Sequence, residues 1–255
     1  MTTMSIGKAW EEALVFISRE AALLFPVALL FIALPGLVLQ ELTPPELAAW
    51  SLAPQAGTMP NVPPSYAIGL MLSVILMWFG SLALFALASR PGISVAEALR
   101  LSLVRLPVLL GASLLAGGFV LLAVLLLAIP LMLLVGPAAP FAVIILVAGF
   151  MGTRLILLNL VVVDGTEGAT GSIRHAWKLT KGHFWRLLGL LIILTLISAI
   201  AASAAQAVFG VLAGLVGGAS AAKFIGGLAA AAASTVIQVY LLVMLARLYR
   251  QAEAG

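Results

Sequence analysis

A single arginine set among apolar residues poses the sharpest chemical question in this chain. Arg154 stands ten positions before Asp164, and the residues between are Leu, Ile, Val and one Asn. On an unbroken helix that separation is about 15 Å. With Asp164 at a membrane surface, Arg154 falls near mid-bilayer, where a charge is costly and turns toward a cavity or a partner. Two readings follow. In one, Arg154 lines an interior cavity and binds an anionic group such as a lipid phosphate, with Asn159, Lys181 and Arg186 as companions. In the other it is structural. It then bonds carbonyls freed by Pro26, Pro35, Pro107 or Pro130 in neighbouring spans, or reaches Asp164 or Glu20 through water. Gln206 and Gln238 also fall within apolar runs. Like Asn159, they either hydrogen-bond between helices or share a cavity with Arg154.

Further along lies a basic cluster, Arg174, Lys178, Lys181 and Arg186, with Trp177 and Trp185 interleaved. Each base near an anionic leaflet is worth about 1 kcal/mol, and Trp favours the headgroup zone. Trp10, Arg174, Trp177, Lys178 and Trp185 are therefore read as interfacial anchors. Other chemistry is missing. His175 and His183, the two histidines, are eight apart with no acidic companion at ligand spacing, so no metal site is expected. Asp164 and Glu167 belong to a Gly-rich turn (Gly165 to Gly168). No Ser/His/Asp set, paired carboxylates, phosphate loop or dinucleotide loop occurs. Neither an enzyme nor a cofactor is expected.

The elements that must position these residues follow from the medium. Of 255 residues, 64% are hydrophobic and 9% charged. Soluble domains carry about 25% charged residues, so lipid is the solvent that fits. Backbone polar groups in lipid must pair internally, and the apolar runs are too long and unbroken for barrel strands, so helices are predicted. The expected spans are residues 21–39, 67–88, two within the uncharged stretch 106–153 and its continuation to 163, then 187–209 and 224–246. Gly136, Pro137 and Pro140 predict the turn between the third and fourth. The Pro-rich stretch from Gln40 to Tyr66 reads as an outer loop with a short helix at Glu46–Trp50. A cleaved signal peptide is not expected, because Glu11, Glu12 and Glu20 precede the first run.

Orientation follows from the bases. One side collects Lys8, Arg19, Arg90, Arg100, Arg105, Arg174, Lys178, Lys181, Arg186, Arg247 and Arg250, whereas the other holds Lys223 with Glu41 and Glu46. Both termini are thus expected in the cytoplasm. The net charge of +4 expresses this topology, and nucleic-acid binding is not expected.

Three segments share a pattern: SIGKAW at Ser5–Trp10, SVAEAL at Ser94–Leu99 and SIRHAW at Ser172–Trp177. Ser suits a helix N-cap, and Glu97 completes a capping box. The residues that follow place Ile6, Ala9, Trp10, Ala13 and Ile17, or Ile173, Ala176, Trp177, Thr180 and Phe184, on one helix face, with charges opposite. The predicted fold is one all-α membrane domain of six transmembrane helices, built as three parallel repeats of an interfacial amphipathic helix plus two spans (about residues 1–91, 92–170 and 171–255). Gly210, Gly214 and Gly218 allow close helix approach, within the chain or, as the minority reading, in a homodimer.

The stretch from Arg154 to Leu188 resembles the signature of the membrane domain of glycerophosphoryl diester phosphodiesterases and their stand-alone bacterial relatives. Arg154, Asp164, Gly165, Ser172, Ala176, Trp177, Lys181, Gly182, Phe184, Trp185 and Arg186 carry the likeness. Asp164 stands where Glu is more usual. No phosphodiesterase domain accompanies the motif here, so the resemblance implies a multi-span bacterial inner-membrane protein without that activity. The resulting expectation is a non-catalytic protein that handles or senses lipid or another amphiphile, with membrane lipids as partners. The alternative is a structural partner of another membrane complex.

Overall fold

A computed structural model describes residues 5–52, 60–90, 92–136, 139–165 and 167–253. The elements in order are α1 (Ile6–Ala28), a π-helical turn (Leu29–Ala33), α2 (Leu34–Leu42), α3 (Pro45–Leu52), α4 (Pro64–Ser89), α5 (Val95–Val135), α6 (Ala139–Arg154), α7 (Leu158–Asp164), α8 (Ala169–Leu179) and α9 (Phe184–Glu253). No strand occurs among the described residues. Five helical stretches are long and apolar enough to cross a membrane: Ile6–Leu42, Pro64–Ser89, Val95–Ala128, Ala142–Asp164 and Phe184–Glu253. Part of the Pro-rich stretch, residues 53–59, lies outside the described residues, as do residues 137 and 138 of the expected inter-span turn, whereas Pro140 falls in the first turn of α6.

At the centre stands α4. Seven consecutive residues, Leu82 to Ala88, are buried, so this end of the helix is enclosed on every side, whereas Ile68, Met71 and Leu72 near its start are exposed. It packs against α1, α5, α7 and α9. Around the outside the large apolar side chains face outward: Leu114, Leu126, Leu134, Ile145, Leu146 and Val216 are all exposed. So large an apolar surface is untenable in water and suits hydrocarbon.

The first span is continuous but irregular. Pro35 lacks an N–H, and the residue before it, Leu34, donates to Leu29 five positions back. The π turn brings Phe31 against α4 at Gly80. A Cβ on Gly80 would lie 2.4 Å from the Phe31 Cβ and 3.3 Å from its carbonyl carbon, so this contact requires glycine.

The last helix covers 70 residues and turns back on itself at Gly218, whose φ of 74° and ψ of −167° are non-helical. Its arms run side by side: a Cβ on Gly226 would lie 3.0 Å from the Gln206 carbonyl oxygen and 3.2 Å from the Gly210 Cα. Gly210 and Gly226 therefore serve packing within this hairpin. The connection expected between 209 and 224 is helical apart from that one residue.

The three patterned segments part ways. Their alanines, Ala9, Ala98 and Ala176, are each 0% exposed, so the shared spacing places a small residue at a tight contact. Ser5 caps α1, its Oγ accepting from the Lys8 N–H. Ser94 and Glu97 bond reciprocally as a capping box. Ser172 is not a cap: Gly168 starts α8, and Ser172 lies one turn inside it, buried. Separate interfacial helices were expected in all three places, but only α8 is separate. The first two segments run straight into their spans, α5 as a single helix of 41 residues. Between Leu179 and Phe184 the chain turns through Gly182, whose φ is +87°, whereas no positive-φ glycine stands between either of the first two segments and the helix it continues into.

Candidate functional site

Arg154 is the last residue of α6, and the fourth span is broken there rather than straight. In a continuous helix the Arg154 carbonyl would accept from Leu158. Instead the Thr180 hydroxyl lies 3.1 Å from it, its one proton shared between this carbonyl and those of Ala176 and Trp177 at 3.1 and 3.2 Å, and the Leu158 N–H turns to Leu155 at 2.9 Å. The guanidinium completes the clasp: Arg154 Nη1 donates to the Thr180 carbonyl at 3.2 Å. Thr180 sits at the C-terminal end of α8, where unpaired carbonyls make a cation favourable. Three rings surround the same charge, with centroids 5.5, 5.3 and 5.4 Å away on Phe150, Trp177 and Phe184. Each such contact is worth about 0.5–1 kcal/mol when exposed and about 2 when dry.

None of the freed proline carbonyls, and neither Asp164 nor Glu20, is bonded by Arg154 among the described residues. Asp164 is engaged elsewhere, 4.0 Å from Arg90 and accepting from the Tyr249 hydroxyl at 3.4 Å. Arg90 also donates to the Val163 carbonyl at 3.3 Å, and Arg250 donates to the Ser89 carbonyl. Arg154, Arg90 and Arg250 thus each close the C-terminal end of a helix other than their own. Ser5 N–H donates to Gln251 Oε1 at 2.8 Å, which places the two ends of the described chain at this same end of the bundle. Glu41 and Lys223 pair at the other end, 3.5 Å apart.

The remaining anticipated residues scatter. Asn159 donates to Ser81 Oγ at 3.1 Å and ties α7 to α4, away from Arg154. Lys181 is exposed in the turn after α8, one residue from the clasp, and Arg186 is exposed in the first turn of α9. Trp10 packs on Tyr240 with ring centroids 5.7 Å apart, and Trp185 is exposed beside Phe184. No group of three metal-ligating side chains exists among the described residues.

Sequence reasoning missed Thr180 and Phe150 as partners. The second had a signal, because Phe150 precedes Arg154 by one helical turn.

What the clasp positions is α8 itself. On one side Thr170, Ile173 and Trp177, spaced one helical turn apart, line an apolar cleft of about 410 Å³ with Leu115, Phe119 and Met151. On another side Arg174, His175 and Lys178 border a polar hollow with Glu167 and Gly171. There His175 Nε2 lies 2.7 Å from Glu253 Oε1, which joins α8 to the end of α9. Arg154 borders neither space. One short helix therefore separates an apolar slot from a charged surface, where Arg174 and Lys178 stand with Glu167 and the His175–Glu253 pair, an arrangement suited to a molecule with a tail and a charged head. No family model, curated protein or solved structure matches the chain.

Proposed function

We propose that this is a non-catalytic, multi-pass protein of the bacterial inner membrane that holds an anionic amphiphile at α8, as a sensor or transporter-like accessory. The observation that carries the reading is the pairing of the apolar cleft at Phe119 and Trp177 with the bases of the same helix, Arg174 and Lys178. The tail enters the cleft, and the head is drawn to α8 and the adjoining Lys181. Counting the two arms of α9 separately gives six spans. The excess of Lys and Arg at the end that carries both termini supports a cytoplasmic placement of that end. The likeness of Arg154–Leu188 to the membrane domain of glycerophosphoryl diester phosphodiesterases agrees with an envelope setting. In this reading Arg154 is not the ligand's counter-ion. It fixes the helix that carries the site.

The test uses Trp177 as reporter in a chain whose other four tryptophans are Phe, reconstituted in nanodiscs. Brominated phosphatidylglycerol is expected to quench Trp177 at several-fold lower mole fraction than brominated phosphatidylcholine. Replacing Arg174, Lys178 and Lys181 by Gln is expected to erase that preference. Equal quenching by the two lipids in the parent chain refutes the reading.

A further inference from the structure

A second concave region lies across the bundle from α8. One lobe, about 300 Å³, is lined by Ala33, Gly36, Gln40, Gln206 and Ser234 among others, and the adjoining lobe, about 390 Å³, by Thr195 and Ser198. The lobes share Ala202, Ser234 and Gln238, so they form one groove between the first span and both arms of α9. From Leu194 to Gln206 on one arm and Gly227 to Leu241 on the other, the groove follows about 20 Å of helix axis. Its size is that of small-molecule sites.

The lining has two properties that together define an occupant. First, it carries no Asp, Glu, Lys, Arg or His. Second, it carries three carboxamides, Gln40, Gln206 and Gln238, whose side chains bond no other described residue. Ser234 and Thr235 turn their hydroxyls back to the Ala231 carbonyl at 3.0 and 2.7 Å, which leaves the amides, with the hydroxyls of Thr195 and Ser198, as the open polar groups of the lining. All three amides are exposed, Gln40 next to Glu41 at the end marked by the Glu41–Lys223 pair and Gln238 farther along its arm, so a guest in the groove can reach their donors and acceptors. A charged guest would find no counter-ion there. An uncharged molecule with hydroxyl or amide groups satisfies both conditions.

The geometry of the first span explains why the groove exists. The π turn at Leu29–Ala33 displaces the helix between Pro26 and Pro35, and its residues Ile32 and Ala33 form part of the wall. Gly36, Ala202 and Gly227 keep the floor free of side-chain bulk. We infer that this groove binds a neutral amphiphile through a hydroxyl- or amide-bearing head held by Gln206 and Gln238. The inference rests on the membrane setting of the proposed function but not on the site at α8.

Two photoprobes of equal chain length, each with a diazirine near the head, test it on the full chain in nanodiscs. One has an uncharged N-(2-hydroxyethyl)amide head and the other a phosphate head. The uncharged probe is expected to label peptides within residues 194–206 and 227–241. That labelling is expected to fall at least five-fold in Gln206→Leu/Gln238→Leu. It is expected to fall equally in Ala202→Leu, which fills the groove. The phosphate probe is expected to label near α8 in all of these chains, so its failure there would count against the proposed function alone. Labelling by the uncharged probe that is unchanged in both variants overturns the inference. So does a shift from dimer to monomer in the double variant, since a second copy would then be the occupant.

Discussion

The α8 end of the molecule and the groove beside the π turn hold most of its functional polarity, and they handle it in opposite ways. Around α8 three arginines are spent within the fold, Arg154 on Thr180 and three rings, Arg90 on Val163 and Asp164, Arg250 on Ser89, while Arg174, Lys178 and Lys181 stay exposed. In the groove the polar groups are uncharged and left open. A bundle in lipid tolerates a charge where helix ends offer carbonyls, because desolvation is then offset by charge-assisted bonds. It tolerates an amide without a partner only where something else reaches it. The first region reads as architecture that supports a site, and the second as a site in itself.

This contrast can be broken by substitutions of opposite sign. The largest effect is expected at Gly80, which seats the π turn. Gly80→Leu drives a side chain into Phe31 and is expected to abolish recovery of folded protein, while Gly80→Ala costs about 1–3 kcal/mol. Size-exclusion profiles in detergent report both, and a well-behaved Gly80→Leu protein would contradict the packing at the π turn.

Next comes the clasp. Arg154→Leu leaves the Thr180 carbonyl with the His183 N–H alone and removes three ring contacts. It is expected to lower the midpoint of thermal unfolding in detergent by several degrees, the equivalent of about 2–4 kcal/mol. Arg154→Lys is expected to recover only part, because an ammonium lacks the planar fork that stacks on rings. An unchanged midpoint for Arg154→Leu would end the distinction between the two regions.

A smaller loss, about 1 kcal/mol, is expected for Thr180→Val, which deletes the hydroxyl bound to the Arg154 carbonyl. Helix should then extend through Leu155–Leu157, visible as slower amide exchange at Leu158. The smallest effect sharpens the comparison by its sign. Gln206→Leu/Gln238→Leu is expected to leave the midpoint unchanged or raise it slightly, because apolar side chains replace amides that no described residue satisfies. A clear fall would mean that these amides are structural after all.

How much of this was legible in the sequence depended on the range of the interaction. The apolar runs announced the helices because their length is itself the signal. The shared spacing put Ala9 and Ala176 on an apolar helix face, and the structure buries both, with Ala98 at the matching position. The continuity of the amphipathic segments with their spans was not legible, since the same periodicity serves a helix lying on a surface and one that carries on into a span. The turn through Gly182 marks the one segment that stays separate. Nor was the true partner of Arg154. It lies 26 residues onward, in a turn whose approach breaks the span, so a distance measured along a straight helix placed the arginine in the wrong company. Gln206 and Gln238 were expected either to bond between helices or to share a cavity with Arg154, and the groove they line does not include Arg154. Gln40 was read as the start of the outer loop because it stands at the edge of an apolar run.

The reversal at Gly218 bears on how the protein is made. Between Arg186 and Arg247 the chain carries one charged residue, Lys223, and one residue of non-helical backbone. If the two arms of α9 are two spans, as the proposed function has it, a hairpin of this kind has almost no hydrophilic cargo to carry across the bilayer: one ammonium group, on a backbone whose peptide groups pair within its own helices.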